Sequence, residues 1–484
     1  MNDYQLISLE LAVVLLAIGV LLADLWMSAT QRKRLGYVAA AGVGAVLIAS
    51  FLVDFPDFGF AFGKMYAMDP LAMFFKRFFL VAAIIVLLLA VDFSDRVKAG
   101  ATELYVIILF ALVGMMFCAS ANDFVLMFAA LETITVSFYV LTSFMRNRLQ
   151  SLEAGVKYLI LGALSTGFTV FGIALVFGTA NTMNFEKLMI AAPDLLGNHL
   201  FLLGLLFVLS GLGFKIAAFP FQSWAPDVYQ GSPAPVTAFL AVGSKAAGFV
   251  LLLRLLFGGV PSVAAEWKDL LVYLAAFTIL YGNLCAIPQR SLKRLLGYSS
   301  IANAGYLLIG VAAVSKVGVT AVLFYLVGYL FTVLAAFTVI SVVTRHTESD
   351  DIGAFAGLGR RSPLLAAGLT FAMVSLAGIP PLVGFFGKFM LLKAAIEGGA
   401  KFTGYYCLVG VAVFGVVVSL YYYFGVIRAM FWSREPADLS PIPVPGTMKL
   451  TLGVCMAAML VLGVYWKPVL DSATEAVAVF TRLR

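Results

Sequence analysis

Long apolar runs, parted by short polar breaks, cover almost the whole chain. Fourteen of them reach the length of about 20 residues that a bilayer-crossing helix requires. They fall at 4–27, 35–54, 70–92, 101–120, 122–144, 151–178, 199–230, 233–257, 267–287, 294–315, 317–343, 363–396, 404–431 and 446–466. The pattern predicts an all-α membrane protein of about fourteen transmembrane helices. The first run begins just after Met1, behind a few acidic or polar residues and with no small-residue cleavage site. It is expected to stay as a helix and not to be removed as a signal.

Lys and Arg in alternate loops set the orientation. With the chain starting outside, the inner loops collect Arg32, Lys33, Arg34, Arg96, Lys98, Arg146 and Arg148 in the first half. In the second half they collect Arg290, Lys293, Arg294, Arg345, Arg360, Arg361, Arg428, Arg434 and Lys449. The outer loops collect only Lys64, Lys187, Lys268, Lys316 and Lys401. Both termini are therefore predicted outside.

Two runs, the seventh and the twelfth, are too long for plain spans, and both are interrupted by proline: Pro220 in one, Pro380 and Pro381 in the other. Proline lacks an amide donor and clashes with the preceding turn, so each helix is expected to break there. Backbone groups freed by a break cannot face lipid; they must line a wet cavity or be buried in protein. Five crossings separate the two breaks, so they enter from opposite faces. That is the trace of an inverted repeat, with helices 4–8 mirrored by helices 9–13. The plainer alternative is a pair of ordinary proline kinks. The predicted divisions are an N-terminal three-helix segment at 1–100, a first repeat at 101–257, a second at 267–431, and a C-terminal helix and tail at 446–484.

Composition agrees with the span count and removes whole classes of function. The chain is 62% hydrophobic and 12% charged, against about 45–50% and about 25% in soluble domains. The net charge of +7 reports loop orientation, and no basic cluster is long enough to suggest nucleic acid. Cys118, Cys285, Cys407 and Cys455 lie far apart in apolar stretches, and His199 and His346 are the only histidines. Haem, iron–sulfur and zinc sites lack ligands on such a chain. No G-x-G-x-x-G or P-loop pattern joins a strand to a helix. Any redox cofactor must sit elsewhere.

Charges inside the spans carry the functional signal. Arg254 and Lys393 fall near helix ends, where long stems snorkel to the headgroups, and Lys76 and Arg77 are expected to do the same. Lys215, Lys245 and Lys388 lie well within apolar segments, where each would cost about 2.5–3.5 kcal/mol against lipid. They must face an interior holding water or counter-charges. Glu132, a lone carboxylate about halfway along the fifth span, is the expected partner. Glu153 and Lys157, four residues apart on the sixth, form a second candidate pair. Such pairs either fix helix registry or relay protons, since a buried lysine changes charge readily when a carboxylate approaches or withdraws. Tyr281, Asn283, Tyr298, Ser299, Ser300, Asn303, Tyr306, Tyr325, Tyr329, Thr332 and Tyr421–Tyr423 are the candidates for a polar path between these stations.

Three stretches then suggest a family: Pro226-Asp227-Val228-Tyr229-Gln230-Gly231-Ser232-Pro233-Ala234-Pro235-Val236, Lys293-Arg294-Leu295-Leu296-Gly297-Tyr298-Ser299-Ser300, and Ser375-Leu376-Ala377-Gly378-Ile379-Pro380-Pro381. They resemble the antiporter-like subunits of respiratory complex I, in the matching spans and over essentially the whole chain. Two further features bear on the kind of subunit: the chain ends after span fourteen, without a long lateral helix, and the broken twelfth helix carries Lys388 where one sibling has glutamate.

The resemblance implies a proton relay through Glu132, Lys215, Lys245 and Lys388, with charged positions at Glu153 and Lys157. It implies that NADH, FMN, iron–sulfur clusters and quinone belong to partner subunits, that the partners are the other membrane subunits of the complex, and that the protein lies in a bacterial inner membrane. Related chains commonly carry histidine where Gln222 and Asn303 stand here. Neither amide titrates near neutral pH, although both can align water. Two other readings remain open: a subunit of a multi-subunit cation/proton antiporter, and a non-pumping scaffold.

Overall fold

The computed structural model describes residues 3–28, 31–53, 55–56, 58–97, 100–399, 403–432 and 440–480. Lys98, Lys401 and Arg434, used above for orientation, lie outside the described residues, as does the end of the tail. Leaving aside short turns, the chain opens with α1 (Ser8–Asp24) and α2 (Arg32–Leu52), then a small antiparallel hairpin of β1 (Gly59–Ala61) and β2 (Tyr66–Met68). Next come α3 (Pro70–Phe93), α4 (Ala101–Ser120), α5 (Phe124–Thr142), α6 (Leu149–Ala180), α7 (His199–Ile216), α8 (Trp224–Gly231) and α9 (Ala234–Gly259). There follow α10 (Lys268–Ala286), α11 (Leu292–Ala312), α12 (Lys316–Thr347), α13 (Pro363–Ala377), α14 (Val383–Gly399) and α15 (Gly404–Trp432). The described chain closes with α16 (Gly446–Val464) and an amphipathic α17 (Lys467–Val477).

Among the described residues, twelve helices are long and apolar enough to cross a membrane. The two predicted spans not among them are α1, of 17 residues, and the twelfth, which is divided into α13 and α14. The hairpin was not foreseen, because its strands of three residues are shorter than any periodicity test resolves. Burial follows position in the bundle. The apolar stretch of α9 is wholly buried, whereas α6 presents most of its apolar side chains outward, as lipid-facing helices do. The long α12 packs against α3, α9, α11, α13, α14, α16 and α17 and so ties the two ends of the chain together. Its Arg345 donates to Asp92 of α3 at 2.9 Å, which sets the C-terminal ends of α3 and α12 side by side.

Both predicted breaks are present. Helix α7 stops at Ile216, with Ala217 left-handed at φ +57°, and the chain passes Pro220 before α8. Helix α13 stops at Ala377, with Gly378 at φ +83°, a conformation glycine adopts without penalty. Past Pro380 and Pro381, α14 folds back against the end of α13. This requires Gly384, because a Cβ there would lie 1.8 Å from the Ser375 carbonyl oxygen. The Ser375 hydroxyl is in turn fixed to Thr332 at 2.9 Å, so the neighbour cannot yield. Gly384→Ala is expected to destabilise the protein by about 1–3 kcal/mol through overpacking. The check is the Tm of the detergent-solubilised protein; an unchanged value contradicts the tight approach.

Two sequence expectations are corrected. Lys76 does not snorkel. It is fully buried, ion-paired with Glu10 of α1 at 2.8 Å and hydrogen-bonded to the Tyr66 hydroxyl at 2.6 Å. Arg254 is likewise buried, donating with both terminal nitrogens to Asp69 at 3.0 and 2.8 Å and with Nε to the Ala119 carbonyl at 2.6 Å. In both cases a carboxylate from another element makes burial cheaper than reaching for the headgroups. Burial, reinforced by Glu10, also pushes the Tyr66 hydroxyl well above the usual phenol range, so it remains a donor. Arg77 is half-buried and donates to the Ser50 carbonyl at 2.6 Å. Lys393 is exposed and lies 3.7 Å from Glu397.

Candidate functional site

Lys215 sits in the last turn of α7, where exposed helix carbonyls favour a cation. Its ammonium donates to the Thr135 hydroxyl of α5, which itself donates to the Leu131 carbonyl at 2.6 Å. The Trp224 indole, just past the break, donates to the freed Phe214 carbonyl at 2.9 Å. Glu132 is close by but makes no direct ion pair with Lys215. It accepts from Thr166 of α6 at 2.8 Å, and the two charged groups face each other across a cavity of about 10 Å³ lined also by Thr135, Ser165 and Thr169. Such a volume holds about one water. Carboxylate and ammonium are thus separated by one small polar gap.

Lys245 begins the regular segment of α9, between two turns wound wider as π-helix, Leu240–Ser244 and Arg254–Gly259. π-Turns often mark functional positions in helices. The ammonium donates to the Ser300 carbonyl at 2.5 Å and to the Ser300 hydroxyl. That hydroxyl also meets Tyr229 of α8 at 3.0 Å. Next along α11, Ser299 contacts Tyr423 of α15 at 2.5 Å. Asn303 donates to the Ser299 carbonyl at 2.8 Å and accepts from Tyr325 of α12 at 2.5 Å. Tyr422 donates to Asn283 at 2.9 Å. Serine, asparagine and tyrosine from five helices thereby form one buried polar core around α11.

Lys388 of α14 donates to the Leu376 carbonyl at 2.6 Å, closing the C-terminal end of α13. Its ammonium lies 4.5 Å from the centroid of the Tyr306 ring, within cation–π range. Lys215, Lys245 and Lys388 are 7%, 2% and 5% exposed. Their partners are neutral oxygens. Among the described residues none of the three has a carboxylate at ion-pair distance, in contrast to Lys76 and Arg254.

Other predicted site residues are placed apart. Lys157 pairs with Glu153 at 2.7 Å as expected, but also with Asp227 at 2.7 Å, and Asp227 accepts from Arg294 as well. These side chains are partly exposed and form a cluster at one end of α6, not a link in the buried line. Tyr298 lies beside Arg294, 5.9 Å from the guanidinium, with its ring centroid 6.2 Å from that of Tyr281. Gln222 is buried next to the first break, its side-chain carbonyl oxygen without a hydrogen-bond partner among the described residues. Thr135, Thr166, Tyr229, Asp227 and the Glu10–Lys76 and Asp69–Arg254 pairs did not emerge from the sequence. The signal for Glu10 was available, since it is a carboxylate inside an apolar run just as Glu132 is. Among the described residues no group of three or more His, Cys, Asp or Glu gathers to hold a metal ion.

Residues 121–417 match the family described as NADH:quinone oxidoreductase/Mrp antiporter, transmembrane. Subunit N of the NADH-quinone oxidoreductase of Desulforamulus reducens is 39% identical over 478 residues, covering 99% of both chains. Subunit 2 of the NAD(P)H-quinone oxidoreductase of Nostoc sp. is 37% identical over 481 residues, covering 96% of this chain and 91% of the other. A chain of respiratory complex I from Thermus thermophilus with bound aureothin superposes with a TM-score of 0.78 at 32% identity, over 96% of this chain and 98% of that one. A chain of the Mrp complex from Dietzia sp. gives a TM-score of 0.82 at 20% identity, over 98% of each, which is a likeness of fold alone.

Proposed function

The chain belongs to the NADH:quinone oxidoreductase/Mrp antiporter family, and on that premise we propose that it is an antiporter-like, proton-translocating subunit of the N type in an NADH:quinone oxidoreductase. It is a multi-pass protein of a bacterial inner membrane and works among the other membrane subunits of that complex. NADH oxidation and quinone reduction take place on those partners. This chain contributes the path for protons.

The observation that carries the reading is the contrast between two kinds of buried cation. Lys76 and Arg254 are held by carboxylates at 2.8 Å and have a fixed charge. Lys215, Lys245 and Lys388 are solvated by hydroxyls and carbonyls alone, so nothing permanent ties them to the ammonium form. A neighbouring charge that approaches or withdraws then decides whether each holds a proton. In this scheme Glu132 acts on Lys215 across the small cavity, and leaving Thr166 for the ammonium would favour its loaded state. Lys245 exchanges with the Ser300–Tyr229 pair. The hydroxyl and amide core around Ser299 and Asn303 leads toward Lys388 and Tyr306. Gln222 and Asn303 orient water and carry no charge. Glu153 and Lys157 join Asp227 and Arg294 at the membrane face, where they stabilise the approach to the first break.

The same reading makes 101–257 and 267–431 two inverted five-helix repeats in a bundle of about fourteen crossings, with 1–100 and 446–484 flanking them. Pro220 in one repeat corresponds to Pro380 and Pro381 in the other, and both termini, with the hairpin, lie on the outer side. Support comes from loop charge and from the placement of a lysine beside each break.

The test is the assembled complex in proteoliposomes. NADH oxidation is expected to move protons, with no Na⁺/H⁺ exchange when NADH is absent. Glu132→Gln is expected to lower the proton-to-electron ratio while quinone reduction continues. An unaltered ratio overturns the assignment of Glu132, and Na⁺/H⁺ exchange without NADH overturns the subunit assignment in favour of a cation antiporter.

A further inference from the structure

At the end of the bundle opposite the hairpin, a cavity of about 70 Å³ lies among chain segments far apart in sequence. Arg96 just past α3, Arg148 at the start of α6 and Lys293 at the start of α11 all line it. Loop orientation calls for an excess of basic residues, but not for their convergence on one cavity. Other cations at this end have carboxylates: Lys33 and Arg345 meet Asp95 and Asp92 at 2.9 Å, and Arg294 meets Asp227. Arg96, Arg148 and Lys293 make no ion pair among the described residues. Arg96 lies over the Phe93 ring, 5.8 Å from its centroid. Lys293 donates to the Ser232 carbonyl at 2.8 Å, which uses one of its three donors.

The rest of the lining is suited to an anion. Gln150 and Gln230 add side-chain amides, and Gln150 stands in the first turn of α6, where unpaired backbone amides favour negative charge. Ser232 also lines the cavity; it is 1% exposed, and its hydroxyl has no hydrogen-bond partner among the described residues. Two carboxylates are present, but neither neutralises the three cations. Asp350 accepts from the Ser291 hydroxyl at 2.5 Å, and Glu348 is exposed. The volume has room for about five waters, which is enough for one phosphate group. A single carboxylate is served by one arginine fork; cations from three separate elements suit a tetrahedral oxyanion, with oxygens on every side. The surrounding helices pack in a circuit, α6 on α8, α8 on α11, α11 on α12 and α12 on α3. The exposed Arg148 and Gln150 mark the opening to water, so the occupant comes from solution.

We propose that this cavity binds a phosphate group from the aqueous phase, either as inorganic phosphate or as part of a soluble phosphate ester, held by Arg96, Arg148 and Lys293. The bound anion supplies the counter-charge that these three cations lack. It ties the end of α3 to the starts of α6 and α11. Gln150, Gln230 and Gly231 also line the neighbouring depression that holds Lys157, Asp227 and Arg294, so the anion sits directly beside that cluster.

The experiment is arginine footprinting of the intact complex with phenylglyoxal, read by mass spectrometry of the peptides. Inorganic phosphate replaces chloride at constant ionic strength up to about 20 mM, the range suited to a Kd of about 1 mM. Modification of Arg96 and Arg148 is expected to slow at least about tenfold at the top of that range. Arg146, exposed on the same loop and outside the cavity, is expected to react at an unchanged rate. Lys293→Gln is expected to raise the half-protecting concentration about tenfold through loss of one charge-assisted contact. Gln150→Glu, at an exposed position, puts a carboxylate beside the cations and is expected to abolish the phosphate dependence, so the test stands even if the lysine variant fails to assemble. The measurement is repeated in nanodiscs of phosphatidylcholine with and without phosphatidylglycerol, and protection by phosphate is expected in both. Absence of protection, equal protection of Arg146, or protection that persists in both variants would overturn the proposal. So would protection by phosphatidylglycerol before any phosphate is added, which would assign the site to a lipid headgroup.

Discussion

Lys215→Met is expected to lower the number of protons moved per NADH oxidised, because passage through this chain slows at least about tenfold, about 1.4 kcal/mol on the barrier. The effect should be confined to translocation. Methionine matches the length of the lysine stem and fills the same space at the end of α7. Thr135 keeps its bond to the Leu131 carbonyl at 2.6 Å, so no hydroxyl is left stranded, and Trp224 still satisfies the Phe214 carbonyl. Removing the ammonium deletes the charged group facing Glu132 across the cavity. The measurement is proton uptake or release against NADH consumption in proteoliposomes, with subunit content verified by gel. Full stoichiometry in the variant would mean that protons bypass α7.

Glu10→Ala carries the largest expected effect on stability. It leaves Lys76, fully buried, without the carboxylate at 2.8 Å, and an orphaned buried charge costs about 3–5 kcal/mol. The Tyr66 hydroxyl, 2.6 Å from the ammonium, does not replace a counter-charge. The variant is expected to accumulate poorly in the membrane and to melt earlier in detergent. The double variant Glu10→Leu with Lys76→Met should recover most of the loss, because an apolar pair of similar volume removes the desolvation cost of both ions. Equal melting of Glu10→Ala and the unaltered protein, or failure of the double variant to recover, would show that the pair does not hold α1 to α3.

Much of this architecture was legible in the sequence, for reasons that can be traced to particular residues. Lipid imposes length on every crossing, so the apolar runs marked the helices, and proline cannot continue a helix, so Pro220, Pro380 and Pro381 marked the breaks. The cost of charge in hydrocarbon singled out Lys215, Lys245 and Lys388, all of which are buried. What the sequence did not disclose was partnership between elements distant along the chain. Lys76 and Arg254 read as snorkelling because each lies near a helix end, and the deciding facts, Glu10 of α1 and Asp69 ahead of α3, stand 66 and 185 residues away. Glu132 read as the expected partner of these lysines, but spacing along a helix does not say which neighbour a side chain bonds: Thr166 donates to it, and Lys215 stands across a small cavity. Glu153 and Lys157 did pair, since four residues on one helix fix that distance. The role of Asp227 as the common anchor of Lys157 and Arg294 depended on a fold-back that no local rule describes.

The three lysines held by neutral oxygens have one more physical consequence, which concerns membrane voltage. A proton handed along these positions carries charge through part of the electric field across the bilayer, at about 2.3 kcal/mol per unit charge for each 100 mV traversed. The Glu10 and Asp69 carboxylates cancel the charges they touch, so their clusters are indifferent to that field. The central amines are not screened in this way, and in the proposed relay their loading would shift with the membrane potential. In the proposed relay, the same scarcity of counter-charge that would let them release protons therefore exposes them to back-pressure from the gradient.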